Sequence, residues 1–344
     1  MRTAVPGAAL TLLAAFLLAA AGPARALEDD AAAADRSAYV APLRVRNTFP
    51  VAQLYGLPRA LGAELIEAGS EWTLTLDHAS NFTSDFSSGN AAFFDGETSV
   101  FSLAWRRPLR EAFEIGVELP YVVHSGGFLD GVIEGFHGLT GLPNGGRQRA
   151  PSGRIDYLVR LRGRNLVDFQ DSRRELGDLR AWLGYQLREG ERDALALRVQ
   201  LKAPTGDVQN LSGSGGTDLS IALEYARRDL LADVPLSLSL MGGAVRLGDS
   251  DLPGWAQEGA ALFGHVGLQY RLGPRLALLA QLDGHGDLLD TAVPQVAEWA
   301  LQGTLGGRWW FSPKLWLELG VAEDLRSQTS SDVVFQLALG VRGR

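Results

Sequence analysis

Apolar and polar residues alternate one for one along most of this chain. Trp72, Leu74 and Leu76 alternate with Thr73, Thr75 and Asp77, and Phe113, Ile115, Val117 and Leu119 with Glu114, Gly116 and Glu118. The same rhythm runs through Leu179–Leu187, Leu195–Leu201, Leu219–Tyr225, Leu262–Leu272, Leu276–Asp283, Trp299–Trp309, Leu315–Val321 and Val333–Val341. Period two is the period of a β-strand, whose successive side chains leave opposite faces. Strands are predicted near 70–79, 96–106, 113–123, 178–188, 193–203, 217–228, 235–247, 260–272, 275–284, 298–311, 314–324 and 332–343. Short turns at 107–112, 188–192, 228–234, 272–275 and 311–313 fall on one rim, and longer loops at 79–95, 204–216, 248–259, 284–297 and 325–331 on the other.

The composition of the two faces sets the fold class. One face carries Leu, Val and aromatics; the other carries Gly, Ala, Ser, Gln and charges of both signs. Trp72, Trp105, Tyr121, Tyr225, Tyr270, Trp299 and Trp309 recur near strand ends. A soluble sandwich also alternates, but aromatic girdles with short turns at one rim and long loops at the other belong to a membrane barrel. The expected fold is all-β, a transmembrane antiparallel up-and-down β-barrel of about 12 strands, with short periplasmic turns and long outer loops. The parity leaves 124–177 as one large outer loop. Within it Ile155, Tyr157, Val159 and Leu161, a turn at Arg162–Asn165, and Leu166, Val167 and Phe169 read as a hairpin outside the wall or over the mouth. If both arms joined the wall the count would be about 14. The spacing over Phe128–Gly138 suits a short helix, and Ala60–Ala68 one or two helical turns.

The first residues supply the address. Arg2, the uncharged run Ala8–Ala21 and Ala24-Arg25-Ala26 form a secretory signal peptide over 1–26, with cleavage before Leu27. Residues 27–69 follow as a periplasmic N-terminal segment: a plug, a rim element or a mobile tether. Residues 70–344 form the barrel of a Gram-negative outer membrane. The chain has no cysteine, which excludes disulfides and a lipidated anchor. Its formal net charge is -8 and no basic stripe is present, so nucleic acid is not a partner.

Candidate chemistry gathers in two places. His124, Ser125, Asp130, Glu134 and His137 combine a hydroxyl, imidazoles and carboxylates, the ingredients of a hydrolase. No Gly-X-Ser-X-Gly surrounds Ser125, and the alternative is a folded loop held by turns. Glu134 and His137 alone are too few for a metal site, and Asp85, Asn90, Asp95-Gly96 and Glu97 do not match a calcium loop. The second group faces inward: Glu114, Glu118, Arg180, Arg198, Lys202, Asp218, Glu224, Arg271, Glu298, Arg308 and Glu318, with Arg147 in the outer loop. Such residues either tune a water-filled lumen or pair across strands and close it. No phosphate-cradling glycine loop precedes a helix, so no cofactor is expected.

The block Ser125-Gly126-Gly127-Phe128-Leu129-Asp130, Ile133-Glu134, Phe136-His137 and Leu142–Arg147 resembles an uncharacterised proteobacterial family, a domain of unknown function of predicted outer-membrane barrels. Asn47, Phe49-Pro50, Gly56-Leu57-Pro58, Asp95–Thr98 and Glu118–Tyr121 extend the resemblance over nearly the whole chain after the signal peptide. Lys202–Asp207 with Gly215–Asp218 is similar to channels proposed for aromatic or hydrophobic compounds. The chain departs from the barrel pattern at its end, Gly340–Arg344, where an aromatic residue usually addresses the assembly machinery. The first expectation is therefore a narrow channel for passive uptake of small solutes. The others are a lipid- or lipopolysaccharide-modifying hydrolase and a closed structural surface barrel. Expected partners are outer-membrane lipid and lipopolysaccharide, the barrel assembly machinery and a small solute.

Overall fold

The computed structural model describes residues 40–66, 68–87, 89–127, 153–252, 256–291, 293–326 and 329–343. The strands are β1 (Ser70–Ser87), β2 (Asn90–Arg110), β3 (Phe113–Ser125), β4 (Asp156–Leu161), β5 (Arg164–Phe169), β6 (Arg173–Leu176), β7 (Leu179–Glu189), β8 (Asp193–Ala203) and β9 (Asp218–Arg227). They continue as β10 (Leu236–Arg246), β11 (Ala256–Gln257), β12 (Ala260–Arg271), β13 (Leu276–His285), β14 (Leu289–Asp290), β15 (Ala300–Ser312), β16 (Leu315–Asp324) and β17 (Val333–Gly343). Twelve of them, β1, β2, β3, β7, β8, β9, β10, β12, β13, β15, β16 and β17, pair antiparallel in sequence order, and β1 closes on β17 from Ser70↔Gly343 to Ser80↔Val333. Closure leaves no free edge along the belt, where each strand is paired on both sides.

The barrel is turned inside out relative to a soluble protein. Trp72 is 49% exposed on the outside, whereas its neighbour Glu71 is 1% exposed on the inside. Leu74, Leu103 and Leu119 lie side by side on adjacent strands, as do Leu74, Leu339 and Leu317. Together such rows make the apolar belt that lipid requires. Aromatics flank the belt near the short turns: Trp72 meets Trp105 at 6.3 Å, and Phe113 meets Tyr185 at 4.7 Å between ring centroids.

Three expectations are corrected. The stretch 79–95, read as an outer loop, instead continues β1 and β2 to Ser87↔Asn90, well past the belt. Ala60–Ala68 contains no helix among its described residues; the described part of the N-terminal stretch has one helical turn, at Ala52–Leu54. Gly62 has φ 96°, which an α-helix does not accommodate. Glu298 lies before β15 rather than on the wall, and pairs with Arg326 of the neighbouring loop.

The hairpin expected at 155–169 forms as β4 and β5, joined by Arg162 and Gly163, both with positive φ as a type I′ turn needs. It extends the upper part of β2, from Ala91↔Arg160 to Asp95↔Asp156, and does not enter the closed wall. The count is therefore twelve and not fourteen. The helix suggested for Phe128–Gly138 lies outside the described residues.

Candidate functional site

The interior of the barrel is occupied by residues Val40–Ile66, an inner loop that rises from the short-turn rim and returns to it. Val40 packs with Ala63, Ala194 and Ala226 near that rim. The rising arm passes Leu43, whose backbone exchanges hydrogen bonds with the Gln281 amide at 2.9 and 3.2 Å. Phe49–Leu57 forms the apex, packed against Phe94, Tyr157, Phe169, Leu211, Leu247, Leu252, Leu288 and Val293 of the upper wall and outer loops. The falling arm ends with Leu65 N–H donating to Gln186 at 3.0 Å and Ile66 N–H donating to Glu114 at 3.1 Å. These wall side chains take backbone donors that a helix would have paired internally.

Charges fix the loop at three levels. Near the short turns Glu71 accepts from Arg44 at 2.7 Å and Arg106 at 2.9 Å, while Arg198 bridges Glu114 at 2.7 Å and Glu224 at 3.2 Å. Two strands from β1, Glu318 of β16 pairs with Arg308 and accepts the Arg44 N–H at 2.9 Å, and Arg308 donates to the carbonyls of Ala41 and Pro42 at 2.8 Å. Half-way up, Arg46 pairs with Glu118 at 2.8 Å, and Arg59 pairs with Asp77 and reaches Glu118 at 3.4 Å. Arg180 donates to the Gln53 carbonyl at 3.2 Å. Below the apex Lys202 pairs with Asp178 and Asp218, and Asp218 accepts the Gly56 N–H at 2.7 Å. Charges this deeply buried persist only when paired and hydrogen-bonded.

The wall makes room for this by placing small residues opposite large ones. Trp316 lies over Gly340, where an added Cβ would come within 2.0 Å of the indole, and Trp182 lies over Gly116 at 2.2 Å. The Arg44 and Arg308 guanidiniums stand 5.0 and 5.4 Å from the Trp316 ring.

Of the residues singled out from the sequence, Arg180, Arg198, Lys202, Glu224, Arg308 and Glu318 are buried within these networks, and Arg271 is half-buried at the end of β12. Arg147, Asp130, Glu134 and His137 lie outside the described residues. His124 and Ser125 are consecutive on β3 and leave opposite faces. The His124 ring is buried, with Nδ1 2.9 Å from Thr98 Oγ1 and Nε2 3.2 Å from the Leu211 carbonyl, so both nitrogens are taken by groups other than Ser125. Sequence reasoning missed Arg44, Arg46 and Arg59, because they sit in a stretch without periodicity.

A cavity of about 40 Å³ remains between the arms of the inner loop and strands β10, β12, β13 and β15. A second, of about 10 Å³, lies by Ala41 and Gln269.

The family profile described as "Protein of unknown function (DUF3187)" matches residues 28–342. No curated protein matches the chain. Among solved structures it is similar to the COG4313 outer membrane channel from Pseudomonas putida F1, with 16% identity, 81% of this chain and 97% of that chain covered, and a TM-score of 0.52. It is also similar to the CymD monoaromatic hydrocarbon channel, with 12% identity, 88% and 99% coverage and a TM-score of 0.40. The first likeness establishes a shared outer-membrane barrel fold.

Proposed function

The chain belongs to the DUF3187 family, and from that premise we propose that it is an outer-membrane channel for passive uptake of small solutes, closed at rest by its own inner loop. In this reading the signal peptide 1–26 is removed during export and the barrel inserts with its short turns toward the periplasm. One observation carries the proposal. Among the described residues no backbone–backbone hydrogen bond joins the inner loop to the wall; its three such bonds, at Gln53, Leu54 and Tyr55, are internal to the apex. Every hydrogen bond between loop and wall uses a side chain, so the barrel's own ladder is complete without the loop. The loop can leave without opening a strand pair. The polar and charged surfaces it uncovers suit water and would be a poor permanent core. Local opening of this kind is the low-energy motion expected of a segment held by side chains alone.

The absence of native cysteine allows a direct test. A Cβ built on Gly56 lies 2.6 Å from the Asp218 Cβ, close enough for a disulfide after a small shift. In liposomes carrying the Gly56→Cys/Asp218→Cys variant, oxidation is expected to abolish solute-driven swelling and reduction to restore it. Equal swelling rates in the two redox states would refute the gating role of the loop.

A further inference from the structure

Two buried donors without partners and a carboxylate without a basic partner belong to residues that line the cavity below the apex. It is lined by Val45, Arg46 and Asn47 of the rising arm, Leu57 and Pro58 of the falling arm, and wall residues that include Asp283 and Gln302. Asp283 and Gln302 are direct cross-strand partners of β13 and β15, so their inward side chains stand next to each other. Gln302 is 2% exposed and its amide nitrogen has no hydrogen-bond partner. The Nε of Arg46, whose other end pairs with Glu118, has none either. Asp283 accepts only from the Gln281 amide, at 2.9 Å to each oxygen, and no Lys or Arg pairs with it among the described residues. Buried polar groups rarely stay unpaired, because each costs roughly 1–3 kcal/mol.

These three groups restrict what can sit between them. A cation would satisfy Asp283 but leave the Gln302 and Arg46 donors facing positive charge. An anion would satisfy the donors but meet the Asp283 carboxylate. A hydroxyl both donates and accepts, so it can donate to Asp283 and accept from Gln302 or Arg46. The volume of about 40 Å³ has room for roughly three water-sized groups, and Val45, Leu57, Met241 and Phe263 supply an apolar wall for a short carbon backbone. We infer that this cavity is a binding site for a small neutral polyol, held by Asp283 and Gln302 of the wall, with Arg46 joining them while the inner loop is seated. The substrate class rests on the channel reading above.

The test uses the full mature chain, refolded, with glycerol as the probe. Liposome swelling compares glycerol with trimethylamine N-oxide, which has no donor for Asp283, and with potassium formate, for wild type and for Asp283→Asn and Gln302→Leu. Wild type is expected to pass glycerol at least fivefold faster than potassium formate, and each substitution to reduce the ratio of glycerol to trimethylamine N-oxide flux at least threefold. Equal flux of the three solutes, or substitutions that change all of them alike, would overturn the polyol site while leaving the channel standing. No flux of any solute through barrels that are heat-modifiable and folded would overturn the channel and the site with it. As a measurement independent of transport, saturation-transfer NMR is expected to show glycerol contacts that Asp283→Asn removes. Exchange of water alone at the site would refute the inference.

Discussion

At the scale of single residues, the interior is decided by a few side chains that serve two partners at once. Glu118 answers both Arg46 and Arg59, one from each arm of the inner loop. Replacing it with alanine leaves two buried guanidiniums short of a carboxylate, a loss of about 3–5 kcal/mol by analogy with other broken buried pairs. The strand wall of Glu118→Ala is expected to stay folded, while amide exchange across residues 44–60 accelerates at least a hundredfold. Unchanged exchange would show that the apex, not the charges, holds the loop. Gly340 is a different case, since it has no partner and matters for what it lacks. The Trp316 indole fills the space a Cβ would need, and overpacking of that kind costs about 1–3 kcal/mol. Gly340→Ala should therefore lower the folded fraction on heat-modifiability gels, and Trp316→Leu in the same chain should recover part of it.

At the scale of elements, the hairpin β4–β5 has its own role. Tyr157, Val159 and Phe169 join the cluster that covers the apex, while none of the closed ladder depends on them. Deleting Asp156–Phe169 with a short linker should leave the barrel folded and heat-modifiable but make the inner loop accessible to added protease. Loss of the barrel itself would contradict this division of labour. The strand pattern in the sequence was legible because lipid outside and polar groups inside impose alternation on every residue of the belt. Predicted strands such as 193–203 and 314–324 agree with Asp193–Ala203 and Leu315–Asp324 to within a residue. Above the belt that contrast vanishes. Around Ser80–Ser87 and Asn90–Asp95 the alternation fades, so the run read as a loop although the backbone ladder continues. Alternation also placed Arg198 and Glu224 on one face, where the structure has them bridged. It was silent about Arg44, Arg46 and Arg59, whose positions depend on contacts with distant strands, 72 residues away for Arg46 with Glu118 and 274 for Arg44 with Glu318. The Asp283–Gln302 pair was hidden for a related reason: alternation gives a face but says nothing of which neighbours lack partners.

At the scale of the whole molecule, a complete barrel and a separable occupant coexist in one chain. The wall keeps its apolar side to lipid and presents a polar interior that, among the described residues, the tethered segment Val40–Ile66 fills. The central claim is that this segment closes a channel. The most direct measurement is single-channel conductance of the refolded mature protein in a planar bilayer, for wild type and for the Arg46→Ala/Arg59→Ala variant that removes the mid-height pairs. The account predicts rare, brief openings in wild type and at least a tenfold higher open probability in the variant. Silence from both proteins, shown to be inserted and folded, would contradict it and leave a barrel that is sealed by design.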